Sequence, residues 1–72
     1  MLEFDGIKLK ELRKQQNLTQ TDLANEIFGK PKTSHISNYE NGVANPPSDV
    51  LLSLMDFFKI SPEEISRTAG QN

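Results

Sequence analysis

Leu18-Thr19-Gln20-Thr21-Asp22-Leu23-Ala24-Asn25-Glu26-Ile27-Phe28-Gly29, then Lys30-Pro31-Lys32-Thr33-Ser34-His35-Ile36-Ser37-Asn38-Tyr39-Glu40-Asn41-Gly42, is the most informative stretch of the chain. Thr19 with Asp22 three positions on is a helix-start signature, and Leu23, Ala24 and Ile27 form an apolar stripe behind it. Gly29 is the stop. A second helix starts between Pro31 and Ser34 and ends at Asn41-Gly42. Asn-Gly often marks a hairpin, but no period-2 pattern flanks it here, so a helix C-cap fits better. The stretch is therefore two short helices joined by a turn. Ala24 matters to that pair, because a small inward residue lets the next helix cross close by, where a larger one would overpack.

The second helix divides into two faces. Ile36, Tyr39 and Glu40 lie three to four apart and turn inward, while Thr33, Ser34, Ser37, Asn38 and Asn41 fall on the other side. That outer face is short, polar and uncharged. Asn can pair with adenine, and Ser or Thr with several bases, yet the same composition also describes an ordinary solvated surface.

Outward from this core the punctuation continues. A helix from about Asp5 to Gln16 carries Ile7, Leu9 and Leu12, and another runs from Ser48 to about Phe58 after the stop at Pro46-Pro47. Ser61-Pro62-Glu63-Glu64 reads as an N-cap, a proline at N1 and a glutamate at N3, opening a fifth helix that Gly70 would close. Nothing alternates with period 2, so the expected fold is all-α, five helices and no strands. The expected core is Leu9, Leu12, Leu18, Leu23, Ala24, Ile27, Ile36, Tyr39, Leu51, Leu54, Met55, Phe58, Ile60 and Ile65.

Composition sets the outer bounds. Seventy-two residues make a single domain, 1–72, with a core of about 6–66 and a tail or linker start at 67–72. At this size folding buries only about 60% of the unfolded chain's surface, which leaves little space for a roomy catalytic pocket. There is no cysteine and one histidine, His35, so no thiolate or histidine-rich metal site is expected. Phosphate-cradling loops and nucleophile elbows are missing from the sequence, and His35 lacks a partner for acid–base work. No enzyme activity, cofactor or metal is expected. The longest apolar run, Val50-Leu51-Leu52, is far too short for a membrane span, and the first residues do not read as a secretory signal, so the expected compartment is the cytoplasm.

The net charge of −2 argues at first against a nucleic-acid partner. Its distribution softens that objection. Residues 1–42 hold six basic and six acidic side chains, and residues 43–72 hold two and four, so the whole excess lies away from the polar helix face.

The chain resembles the Cro/cI-type, lambda-repressor-like (XRE-like) helix-turn-helix DNA-binding domains over about residues 6–66. The resemblance rests on Gly6, Leu9, Leu12-Arg13, Leu18-Thr19-Gln20, Leu23-Ala24, Ile36-Ser37, Glu40-Asn41-Gly42, Asn45-Pro46, Leu51, Leu54 and Ile60-Ser61-Pro62-Glu63-Glu64-Ile65. It implies a compact five-helix bundle in which helices 2 and 3 form the helix-turn-helix. It implies a sequence-specific transcriptional regulator of phage-repressor or plasmid/antitoxin type, bacterial or phage in origin. The recognition helix, about residues 32–41, would lie in the major groove. Thr33, Ser34, Ser37 and Asn38 would read bases. Gln20, Lys30, Lys32, His35 and Asn41 would meet phosphates, and Arg13 with Glu40 would form a structural ion pair. The partner would be a near-palindromic double-stranded operator, bound by a homodimer; either helix 5 supplies a weak dimer contact, or these residues are the N-terminal part of a longer repressor. The alternative is a protein-interaction module that reuses the fold.

Two departures from the family pattern stand out. From Ile27 to Ile36 there are two more residues than usual, so that either Pro31 extends helix 3 backwards or the turn bulges. The loop Val43–Ser48 lacks the cations that relatives often place there.

Overall fold

The computed structural model describes residues 2–68. It opens with a three-residue strand, β1 (Leu2–Phe4), followed by α1 (Gly6–Gln15), α2 (Gln20–Phe28), α3 (Thr33–Glu40) and α4 (Ser48–Phe58). A single 3₁₀ turn over Pro62–Ile65 leads to a second strand, β2 (Ser66–Thr68). The first two helices start and stop where local chemistry says they should. Asp5 accepts from the amides of Ile7 at 3.0 Å and Lys8 at 3.4 Å, satisfying two orphan donors of α1. Asn17, with φ of 58°, turns the chain out of α1. Thr19 and Asp22 close a reciprocal capping box: the Thr19 amide donates to Asp22 Oδ2 at 2.9 Å and the Asp22 amide to Thr19 Oγ1 at 3.0 Å. Gly29 ends α2 at φ 69°, in the left-handed region that glycine enters without steric cost.

The capping box makes a pH prediction. Hydrogen bonds from the Thr19 backbone and then its side chain hold the Asp22 carboxyl below its ordinary 3.8. A carboxyl depressed by folding stabilises the fold above its unfolded pKa, and that contribution is lost as pH falls through the folded value. The α2 start should therefore loosen below about pH 4. Thr19→Ala removes the side-chain bond and keeps the larger backbone one, so it should move the Asp22 titration only part of the way back toward the ordinary range, and should cost about 1 kcal/mol. A carboxyl-carbon NMR titration of both proteins checks this, and an unchanged Asp22 midpoint in the variant would contradict it.

The core draws one or two residues from every helix: Leu9, Leu23 with Ala24, Ile36 with Tyr39, Leu54 with Phe58, and Ile65 from the 3₁₀ turn. Leu9, Leu23, Ile36, Leu54 and Ile65 are fully buried, each contributing about 1.5–3 kcal/mol from removal of apolar surface from water. The remaining expected core members, Leu12, Leu18, Ile27, Leu51, Met55 and Ile60, are half-buried around this centre, joined by Phe4, Phe28, Val50 and Phe57. Phe4 meets the Tyr39 ring edge-on at 6.5 Å.

Two expectations are corrected. The segment after Ser61 is no fifth α-helix, and the described chain is not free of strands. The start signature is real: the Ser61 amide and hydroxyl both donate to Glu64 Oε2, at 2.8 and 3.3 Å. But Ile65 is the last apolar anchor, and Ser66-Arg67-Thr68 offers no residue to continue an inward stripe. A helix nucleus is costly and needs such a stripe to grow, so it stops after one 3₁₀ turn. The chain then becomes extended at Ser66 and pairs antiparallel with β1, in the register Leu2↔Thr68, Glu3↔Arg67 and Phe4↔Ser66. Arg67 Nε donates to Glu3 Oε1 at 3.0 Å across this pair. The Asp5 amide also reaches the Ile65 carbonyl at 3.0 Å, which continues the link between the segments beside β1 and β2. Residues 67 and 68, read from sequence as tail, are therefore strand, and the closing Gly70 lies outside the described residues.

Candidate nucleic-acid interface

The sequence between α2 and α3 determines how α3 is presented. The two additional residues do not lengthen α3: Pro31 stands outside it, and Lys32 occupies its N-cap position. The Lys32 amide donates to the Lys30 carbonyl, and the Thr33 amide to the Pro31 carbonyl, both at 2.8 Å. Two consecutive i→i+2 bonds of this kind are γ-turns, and the Lys32 backbone at φ −80°, ψ 60° matches the inverse γ conformation. The excess length is thus wound into the turn, and Thr33 stays the first residue of α3.

Phe28 organises the same turn. His35 meets its ring edge-on at 5.5 Å, and Lys32 Nζ lies 5.6 Å from its centroid. A cation over an exposed aromatic ring contributes about 0.5–1 kcal/mol, enough to bias the Lys32 side chain without fixing it. Lys30 is exposed beside this cluster.

On α3 itself Ile36, Tyr39 and Glu40 are buried, whereas Ser34, His35, Asn38 and Asn41 are exposed and Thr33 and Ser37 half-exposed. Ser34, Asn38 and Asn41, four and three residues apart, make one outward stripe. Within the described residues no side-chain hydrogen bond occupies Ser34 or Asn38. Their donors and acceptors are free for an external partner. Ser37 and Asn41 are engaged with each other, Asn41 Nδ2 donating to Ser37 Oγ at 3.2 Å. Thr33 Oγ1 lies 2.7 Å from Thr21 Oγ1 on α2.

Beneath this surface a polar cluster holds α3 in place. Arg13 Nε donates to Glu40 Oε2 at 2.6 Å, and a terminal guanidinium nitrogen to Oε1 at 3.1 Å, the bidentate arrangement that suits guanidinium and carboxylate. The other terminal nitrogen donates to the Leu18 carbonyl at 2.7 Å. Gln20 Nε2 adds a bond to Glu40 Oε1 at 3.1 Å. Both side chains of the ion pair are nearly sealed from solvent, at 9% and 2% exposure, so the pair tolerates burial only because its polar atoms are so fully matched. Among the described residues no buried side-chain nitrogen or oxygen lacks a partner. The cluster ties α1, the loop after it, α2 and α3 into one frame. It also neutralises Glu40, leaving Lys30 and Lys32 as the local charge near the outward face.

The Gln20 side chain is therefore turned into the frame, and what α2 offers outward at its start is backbone N–H and the Thr21 hydroxyl. Thr21 and Phe28 were not singled out in the sequence. Only the path of the lengthened turn brings each against α3.

No described helix is long and apolar enough to cross a membrane. A search of curated proteins finds no significant match. The family model for the helix-turn-helix domain, by contrast, matches residues 6–71. That span takes in all four helices, the wound turn and the polar frame, and the family's members are DNA-binding regulators in general. The chain belongs to the helix-turn-helix domain family.

Proposed function

We propose that the protein is a sequence-specific DNA-binding transcriptional regulator, of phage-repressor or plasmid/antitoxin type, working in the cytoplasm by binding alone and without cofactor or turnover. The observation that carries this is the outward stripe of α3, where Ser34 and Asn38 stand exposed with no internal partner. A groove-reading helix needs unspent donors and acceptors of that length. In this reading α3 lies in the major groove, Asn38 takes an adenine edge, and Ser34 and Thr33 take neighbouring bases, with Ser37 secondary because Asn41 holds its hydroxyl. Lys30, Lys32, His35 and Asn41 reach phosphates on either side, and the backbone start of α2 at Gln20 meets another.

Few cations face the DNA, so the salt dependence is shallow and one domain binds modestly. Two copies on a near-palindrome, with half-site centres about 34–36 Å apart, supply tight binding. The short 3₁₀ turn at Pro62–Ile65 replaces the helix from which a dimer contact was expected, so pairing is driven by the DNA or by other surfaces.

Asn38→Ala and Ser34→Ala should each weaken binding to the selected operator by about 1–3 kcal/mol, or roughly 5- to 150-fold, with binding to random DNA nearly unchanged. Selection from random DNA followed by mobility-shift titration checks this. Equal loss on both DNAs would remove these residues from base reading. The net charge of −2 favours the second reading, a protein-interaction module. No shift at micromolar protein in about 50 mM salt, together with a stable protein partner, would select it.

A further inference from the structure

Ile7, Val43 and Leu52 are the exposed large apolar side chains among the described residues. Ile7 shares its side of α1 with Lys10 and Glu11, and Val43 stands in the loop after α3. Only Leu52 has apolar company. Met55, three residues on, lies between it and Leu51 around α4, and both neighbours are half-buried. This flank belongs to a different element from the outward stripe of α3.

The charges beside it are self-complementary. Asp49 lies in the first turn of α4, and Asp56 and Lys59 lie at its end. Lys59 Nζ is 3.7 Å from Asp56 Oδ1, with the two side chains 81% and 86% exposed, so the bridge is weakly held and Lys59 can serve a second carboxylate. A two-fold axis makes the same patch meet itself. If two α4 helices ran parallel, Asp49 would face Asp49 and Lys59 would face Lys59. If they run antiparallel, with Leu52 against Met55 of the second copy, Lys59 comes opposite Ser48 and beside Asp49 of that copy, at both ends of the seam. The apolar centre and the charges then agree.

Resting on the DNA-binding reading above, we infer that this flank of α4 is where a second copy of the chain pairs on DNA, antiparallel, with Lys59 of each copy bridging to Asp49 of the other. The seam is small. An 11-residue helix is about 16 Å long, and one exposed leucine with two half-buried neighbours falls short of the roughly 1,200–2,000 Å² that a stable interface buries. The pair is therefore weak in free solution and forms when one DNA holds two copies at high effective concentration.

The test uses the whole chain and the half-site selected from random DNA, presented singly and as an inverted repeat with centres about 34–36 Å apart. Wild type is compared with Leu52→Asp, Lys59→Glu and the exchange Asp49→Lys with Lys59→Glu, each checked for folding by circular dichroism. Wild type should fill the second half-site of the repeat about tenfold more tightly than a single one, an ordinary size for coupling between two sites. Leu52→Asp should abolish that gain and leave single half-site affinity unchanged. Lys59→Glu should cut the gain severalfold, and the exchange, which sets the opposite charges face to face again, should restore it. No gain in wild type overturns the inference. So does a gain that survives Leu52→Asp, or a loss in Lys59→Glu that the exchange does not repair. A wild type that binds no half-site overturns the DNA-binding reading instead. The pairing is then read without DNA, by sedimentation at high protein concentration, where wild type should self-associate and Leu52→Asp should not; equal behaviour of the two overturns it.

Discussion

Replacing Glu40 by alanine should remove a large part of the protein's stability at 25 °C. Removing one partner of a buried ion pair costs about 3–5 kcal/mol, because the other charge stays in a place where water cannot reach it. In this structure the abandoned group is the Arg13 guanidinium, which would keep only the Leu18 carbonyl, and Gln20 would lose its acceptor as well. A domain of this size has roughly 4–11 kcal/mol to lose in total, at 0.05–0.15 kcal/mol per residue. Urea unfolding followed by circular dichroism should show the midpoint collapse. The paired change Arg13→Met with Glu40→Leu should regain most of the loss, since apolar replacements of similar volume leave no charge stranded. A loss below about 1 kcal/mol for Glu40→Ala would mean that the frame does not depend on this pair.

Gly6→Ala should be comparably severe for a purely steric reason. A methyl group at Gly6 would land on the Tyr39 carbonyl oxygen and within 2.7 Å of the Glu40 carbonyl oxygen. Both are backbone atoms at the end of α3, so no side-chain rotation relieves the overlap. Relief requires α1 and α3 to separate, which lifts Leu9 out of the core and stretches the Arg13–Glu40 bonds. Overpacking of this kind costs about 3 kcal/mol or more. For a domain of 60–100 residues that corresponds to a fall in Tm of roughly 12–24 °C. Differential scanning calorimetry checks it, and a fall under about 4 °C would show that the two helices part easily.

Much of this arrangement was legible in the sequence because the relevant physics is local. Asp5, Thr19, Gly29, Asn41-Gly42 and Pro46-Pro47 bound the four helices through caps and breakers, whose chemistry operates over three or four residues. The inward set Ile36, Tyr39 and Glu40 follows from the helical period alone. What escaped was set at long range or by the absence of a signal. Ser61-Pro62-Glu63-Glu64 starts a helix correctly, but whether the helix grows depends on what Ile65 and the residues after it can bury. A three-residue strand is too short to show alternation, and its partner lies at the other end of the chain. The Thr21–Thr33 contact and the seat of Lys32 and His35 on Phe28 depend on how the lengthened turn winds. Composition gives no hint of two successive γ-turns. Gln20 shows the same limit within one residue: its position at the helix start is evident, but the inward turn of its amide is set by Glu40, twenty residues on.

The pairing of Leu2 with Thr68 has a kinetic consequence. The helices and the turn between α2 and α3 are built from neighbours in sequence and can assemble early. The two-stranded clasp joins the most distant parts of the described chain, so its loop-closure entropy is recovered only once the helices have already drawn its ends together. It should be the last element to close during folding. With only three residues a side and an exposed Arg67–Glu3 bridge, it should also be the first to open in native-state hydrogen exchange, well before the frame around Arg13 yields its amides.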